Sequence, residues 1–208
     1  DGAYGAPAIL TDQGRPLLDG LDLADSLSLD PHKWLFQSFE SGCVLVRDRA
    51  LLLQTFQVMP EYLRDTHGAL EEVNFGNYGV QLTRSFRALK LWLLSREQGV
   101  QGLQQRLRRD LEHARWFAAQ VDAAPGWQRL APVPLQTVCV RHVPPGLQGE
   151  ALDAHTLGWV RRINESGRAY LTPAVLGDRW MVRVSFGVEA TEHEHVAALW
   201  RQMRDEAE

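Results

Sequence analysis

The hydrophobic period changes near Leu82, and that change limits the possible folds more than any other feature. Before it, apolar residues come in short runs. Residues 24–29 and "SGCVLVRD", bounded by Gly42 and Asp48, read as strands, with loops between them and a short helix over 48–58. From Leu82 the spacing becomes helical: Leu82, Phe86, Leu89 and Leu93 lead to a stop near Gly99. Leu103, Leu107, Leu111, Ala114, Phe117 and Val121 then carry the same period to Pro125–Gly126. Strands are expected in "WQRLAP" and "LQTVCVRHV", then a "PPG" turn and a helix with Leu152, His155, Trp159 and Ile163 on one face. "AYLTPAVL" and "WMVRVSFG" flank a hairpin junction at Gly177–Asp178. A last helix from near Thr191 buries Val196, Leu199, Trp200 and Met203. The order ββαββα behind two helices predicts a small α+β domain. The division falls inside the first long helix, giving residues 1–88 and 89–208 with no exposed linker.

At 208 residues the chain is long enough for one large domain or two small ones. A net charge of −4 argues against broad nucleic-acid binding or attachment to an anionic membrane. Cys43 and Cys139 lie in strand-like runs and do not form a disulfide framework, which fits a reducing cytosol. No uncharged apolar run reaches membrane-spanning length. The expectation is a soluble, cytoplasmic chain. Its opening, "DGAYGAPAIL", has no methionine or cap and reads as the continuation of a longer polypeptide.

Most candidate sites have an ordinary explanation. His193 and His195 in "TEHEHV" are two apart on a helix and face different ways, so no metal is expected there. "GNYG" lacks the Gly-Lys-Ser pattern of a phosphate loop. Ser26, Ser28 and Ser41 have no nucleophile-elbow context. His155 reads as a core-facing histidine and His142 as a surface one. The segment 59–80, with Pro, Gly and Asn but little periodicity, is a long loop of the kind that often serves as a lid.

Lys33 is different. In "DSLSLDPHKWLFQSFESGCVLV" it is wedged between His32 and Trp34 amid Leu27, Leu29, Leu35 and the run from Cys43 to Val46. A lysine in so apolar a setting either snorkels outward or does chemistry. Asp1, 32 positions earlier, falls at the end of what would be a preceding strand. A carboxylate and an amine from different strand ends suggest a ligand in the crevice between them. Pyridoxal phosphate needs such a pair, an amine to bond its aldehyde and a carboxylate to keep its ring nitrogen protonated.

With "DGAYGAPAIL…LADSLSLDPHKWLFQ…GCVLVRD" in view, the chain resembles the pyridoxal-phosphate-dependent group II amino-acid decarboxylases, the aromatic-L-amino-acid enzymes above all. "MPEYLRD", "LTRSFRALKLWLLSREQGVQGL" and "LTPAVLGDRWMVRVSFGVEATEHEHV" extend the similarity over nearly the whole length. The resemblance implies an α/β fold: the end of a fold type I large domain followed by a small α+β C-terminal domain. It implies pyridoxal 5'-phosphate as cofactor, carried covalently by Lys33. Asp1 matches the carboxylate that pairs with the ring nitrogen and Ala3 the small residue beside the ring. His32 matches a histidine placed near the cofactor that moves protons. Asp30 stands where some relatives have Asn near the phosphate. Tyr62 matches the tyrosine of a mobile catalytic loop over 59–72, the expected proton donor. Phenylalanine there goes with the family's aldehyde synthases. Arg84 matches an active-site arginine.

The activity so implied is decarboxylation of an aromatic L-amino acid to its amine. An acidic or diamino substrate (glutamate, cysteine sulfinate or 2,4-diaminobutyrate) is the alternative within the same chemistry, and a non-catalytic fragment or subunit the alternative outside it. Against glutamate, Asp30 and Trp34 replace the Asn and Met common around that family's lysine. The expected partners are the amino acid, the N-terminal part of the same enzyme and a second copy in a homodimer. No nucleic acid or membrane is expected.

Overall fold

Prolines and glycines shape the first 23 residues. Single turns of 3-10 helix span Ala6–Leu10, Arg15–Leu18 and Leu21–Leu23, each following a glycine, the first two with proline at their start. Proline's fixed φ suits a helix's opening position, where its missing N–H costs nothing. These turns correct the expectation of strands and loops alone. The structure, a computed structural model, describes residues 1–58 and 73–208.

Strand β1 (Ser26–Leu29) pairs antiparallel with β2 (Cys43–Val46), from Ser26 opposite Val46 to Leu29 opposite Cys43. Between them lies α1 (Pro31–Trp34), one helical turn entered through proline. The strand starts two residues later than its apolar run. It is not the buried strand expected, since exposed and half-buried residues alternate along it. Helix α2 (Arg49–Phe56) fulfils the expectation for 48–58; the Asp48 carboxylate caps it, accepting from the Ala50 N–H at 2.9 Å.

Helix α3 (Arg87–Ala123) begins later than expected. Val80, Leu82 and Phe86 are exposed, so no packing holds residues 82–86 in helix despite their spacing. At Gly99 the backbone takes φ +65° and ψ 171°, which breaks the helix at the expected stop, and the chain resumes helix at once.

The larger sheet follows. β3 (Trp127–Arg129), β4 (Thr137–His142), β5 (Thr172–Leu176) and β6 (Arg179–Ser185) form an antiparallel sheet in the order β3-β4-β6-β5. Helix α4 (Gly149–Glu165) links β4 to β5, and α5 (His193–Ala207) closes the chain. Val138 and Val140 face Val184 and Val182 across the ladder, all four buried. Phe117 and Val121 of α3, Trp159 and Ile163 of α4, and Trp200 and Met203 of α5 join them in one core. Gly177 and Asp178, at φ +54° and +59°, make the two-residue turn that matches strand twist. This is the α+β unit that the ββαββα order predicts. A second, smaller cluster of Ala8, Trp34, Leu107 and Leu111 ties the first segments to α3.

Candidate active site

The segment 1–3 runs beside the end of β1. The Gly2 N–H donates to the Ser28 carbonyl at 2.9 Å and the Asp30 N–H to the Ala3 carbonyl at 3.1 Å. Both segments advance in the same direction, which sets Ala3 beside Asp30 at the end of β1. Glycine is required at position 2. A Cβ there would lie 2.6 Å from the Ala6 Cβ and 2.7 Å from Leu27 Cδ1, too close for any side chain. The Asp1 carboxylate is exposed, and its Oδ1 accepts from the Ala3 N–H at 2.9 Å.

Lys33 projects from α1 just beyond β1. Its Nζ lies 2.8 Å from Asp30 Oδ2, with 39% of the side chain exposed. The amine therefore reaches solvent, while Pro31 and Trp34 on the same turn are buried. The hydrogen bond from Lys33 holds the Asp30 carboxyl below the usual carboxylate range. Alongside, His32 is gripped by the Ser41 backbone: its Nδ1 lies 2.7 Å from the carbonyl oxygen and 3.1 Å from the amide nitrogen. Phe39 meets its ring edge-on at 5.0 Å. With Nδ1 engaged, Nε2 is the nitrogen left to exchange a proton with a ligand.

His32 borders a cleft of about 790 Å³ whose walls include Phe39, Phe75, Arg84, Phe86 and Arg87. That volume suits a small-molecule ligand. The structure thus brings the expected residues His32 and Arg84 to one cleft. Arg84 donates to the Phe75 carbonyl at 3.3 Å and the Gln81 carbonyl at 3.1 Å. Tyr62 and the expected loop over 59–72 lie outside the described residues.

Three features escaped the sequence. Arg87 pairs with Glu40 and holds that carboxyl below its ordinary range, while Lys90 donates to the Phe39 and Glu40 carbonyls at 3.2 and 3.3 Å. The start of α3 thereby clamps the loop behind His32. Trp34 donates its indole N–H to Asp110 Oδ2 at 2.8 Å, 76 residues away. His142, expected at the surface, is half-buried, and its Nδ1 lies 3.0 Å from His155 Nε2. Among the described residues, no group of three or more His, Cys, Asp or Glu side chains could hold a metal ion.

The residues present fit pyridoxal phosphate in chemical kind. A solvent-reachable primary amine and an exposed carboxylate stand on adjoining segments that advance together, with a histidine and an arginine at a neighbouring cleft.

Residues 1–143 match the family model described as the pyridoxal-dependent decarboxylase conserved domain. The chain is 40% identical over 190 residues to an aromatic-L-amino-acid decarboxylase of Bacillus atrophaeus, covering 88% of this chain and 39% of the relative. A tryptophan decarboxylase of Camptotheca acuminata is 34% identical, with 100% and 42% covered. Among solved structures, the Oryza sativa enzyme with PLP and tryptamine superposes at a TM-score of 0.91 and 30% identity, covering 100% of this chain and 43% of that one. The Catharanthus roseus tryptophan decarboxylase in complex with L-tryptophan gives 0.88 and 33%, with 100% and 43% covered. The chain spans about two fifths of the length of these curated relatives.

Proposed function

Because the chain belongs to the pyridoxal-dependent decarboxylase family, we propose that the enzyme containing it binds pyridoxal 5'-phosphate and decarboxylates an aromatic L-amino acid to the amine and carbon dioxide. The observation that carries this is the Lys33 amine, solvent-reachable on a turn whose strand adjoins the Asp1 segment. Three relatives at 34% identity or above bear names that specify aromatic substrates, which favours that class over an acidic or diamino one.

Lys33 would hold the cofactor covalently, and Asp1 would keep its ring nitrogen protonated by facing it with a carboxylate, with Ala3 leaving room at its side. When bound, pyridoxal phosphate supplies a sink for the electron pair left as the substrate's carboxylate departs. Each unit by which Asp1 raises the ring nitrogen's pKa amounts to about 1.4 kcal/mol between its two protonation states. Asp30 holds the Lys33 amine in the resting protein. A nucleophilic amine must be neutral, so this ion pair has to open and give up a proton before Lys33 can bond an aldehyde. His32, fixed through Nδ1, presents Nε2 as a proton carrier. Tyr62 is assigned the return of a proton to the substrate carbon. Arg84, which lines the cleft with His32, would meet an anionic group of the ligand.

The division into residues 1–88 and 89–208 belongs to the same proposal, as does a cytoplasmic homodimer whose pocket the N-terminal part of the enzyme completes. Exposed apolar side chains at Phe75, Val80, Leu82, Phe86 and Trp92 support a covering partner. Among the described residues no helix is long and apolar enough to cross a membrane.

The test is to supply the full-length enzyme with pyridoxal phosphate and, in turn, L-tryptophan, L-tyrosine, L-glutamate, L-cysteine sulfinate and L-2,4-diaminobutyrate, measuring carbon dioxide and amine. Preferential release from the aromatic pair is expected. Preference for the acidic or diamino acids moves the substrate class. No release, with no cofactor trapped on Lys33 by borohydride, leaves a non-catalytic subunit.

A further inference from the structure

We propose that Asp110 is a positioning residue that, from helix α3, fixes the direction of Lys33 by holding the Trp34 indole. The proposal rests on Lys33 being the lysine that carries the cofactor.

Trp34 and Asp110 are both fully buried, and the bond from Nε1 to Oδ2 at 2.8 Å joins them. Around that bond, Ala8, Leu107 and Leu111 exclude water. Tyr4 stacks on Trp34 with ring centroids 6.0 Å apart and planes 24° from parallel. Gly187, just beyond β6, lies against the same group: a Cβ there would sit 2.6 Å from the Tyr4 hydroxyl and 3.6 Å from Trp34 Cδ1. Tyr4 is three residues after Asp1, and Trp34 is one after Lys33. One buried group, gripped from α3, therefore adjoins both candidate site segments.

A helix of a single turn cannot set its own orientation, because so few hydrogen bonds do not offset the ordering they require. Side chains one apart on it point about 100° apart. A turn that rotates about its own axis carries Trp34 and Lys33 round together, so holding the indole in one direction fixes the direction in which Lys33 leaves the backbone. Apolar neighbours would bury the indole but leave it free to choose among orientations, whereas a hydrogen bond has a direction. Burial pushes the Asp110 carboxyl up to about 6, and its Oδ1 has no partner among the described residues. A side chain kept only for packing would not carry that burden, since an apolar residue of similar volume avoids it.

The experiment uses the full-length protein, three single variants and the Asp110→Leu/Trp34→Phe double variant. Asp110→Leu removes the acceptor, Asp110→Asn keeps an acceptor without charge, and Trp34→Phe removes the donor. Amide hydrogen exchange on the cofactor-free protein reads the turn, and borohydride trapping with mass spectrometry reads how fast Lys33 captures pyridoxal phosphate. In Asp110→Leu and Trp34→Phe, exchange over residues 32–36 should rise about tenfold, as for one lost hydrogen bond to a charged group. Exchange in β4 and β6 should stay unchanged, and capture should slow. Asp110→Asn should exchange no faster than the parent and capture at a comparable rate. The double variant should be no worse than either single one, because both remove the same bond. Unchanged exchange over 32–36, an equal rise across β4 and β6, damage in Asp110→Asn equal to that in Asp110→Leu, or additive effects would each overturn the proposal. If Asp110→Leu does not fold, Trp34→Phe and Asp110→Asn decide it. Absence of capture in the parent overturns the cofactor assignment instead, and exchange in the cofactor-free protein still decides whether Asp110 holds the turn.

Discussion

Lys33 pairs with Asp30 and leaves 39% of its side chain in solvent, so its chemistry and its contribution to folding are expected to be separable. Lys33→Ala is expected to abolish cofactor capture and turnover in the full-length enzyme. Its unfolding free energy should stay within about 0.5 kcal/mol of the parent, as for other surface changes; trapping and urea titration check the two halves. Tyr62→Phe is expected to lower amine yield and raise aldehyde, read by chromatography of the products. A variant that makes amine as cleanly as the parent removes Tyr62 from the proton's route. Lys33 was conspicuous because its sequence neighbours are so unlike those of a surface lysine. Asp110 was not. It follows two arginines in an amphipathic helix, where an acidic residue reads as part of a solvated face, and its partner lies 76 positions away. His142 was misread for a related reason: the periodicity of β4 says which face it occupies, but not that His155 of α4 approaches it.

Element boundaries show where local pattern stops carrying information. The hairpin at Gly177–Asp178 and the core faces of α4 and α5 follow from spacing and turn chemistry, which act over a few residues. The start of α3 does not, because Leu82 and Phe86 have helical spacing but no described surface to pack on. Gly99 is the sharpest case. Its φ of +65° with ψ of 171° belongs to a region that only glycine enters readily, although nothing lies within 4 Å of where its Cβ would be. Gly99→Ala should therefore cost about 1–3 kcal/mol through backbone strain rather than a clash. A lowered Tm with the β3-β4-β6-β5 sheet intact by amide exchange is the expected result. Gly2→Ala should fail differently, by steric overlap with Ala6 and Leu27. It should loosen the Asp1 segment at a cost of about 1–3 kcal/mol, the range for overpacking.

Across the whole molecule, protons pull stability in two directions. Burial lowers the pKa of His113, His142 and His155. Below the unfolded value of about 6.5 the unfolded chain takes up protons that the folded chain refuses, so these three lower stability as pH falls from about 7 to 5. Asp110 acts oppositely: with its folded value raised to about 6, it holds a proton that the unfolded chain has released, and its burden grows as pH rises from about 4 to 6. Asp110→Asn is therefore expected to be more stable than the parent at pH 7, by at most about 3 kcal/mol, with the difference gone near pH 4. Urea titrations at the two values check this. The Trp34–Asp110 bond also bears on the order of events during folding. Closing a loop of 76 residues costs roughly 4 kcal/mol of chain entropy, more than one hydrogen bond returns. Strand pairings within the C-terminal sheet span shorter loops and are repaid sooner. Pulse-labelling during refolding should find β4 and β6 protected first and residues 32–36 last, so that a newly made chain has its scaffold before it has a lysine able to take up an aldehyde.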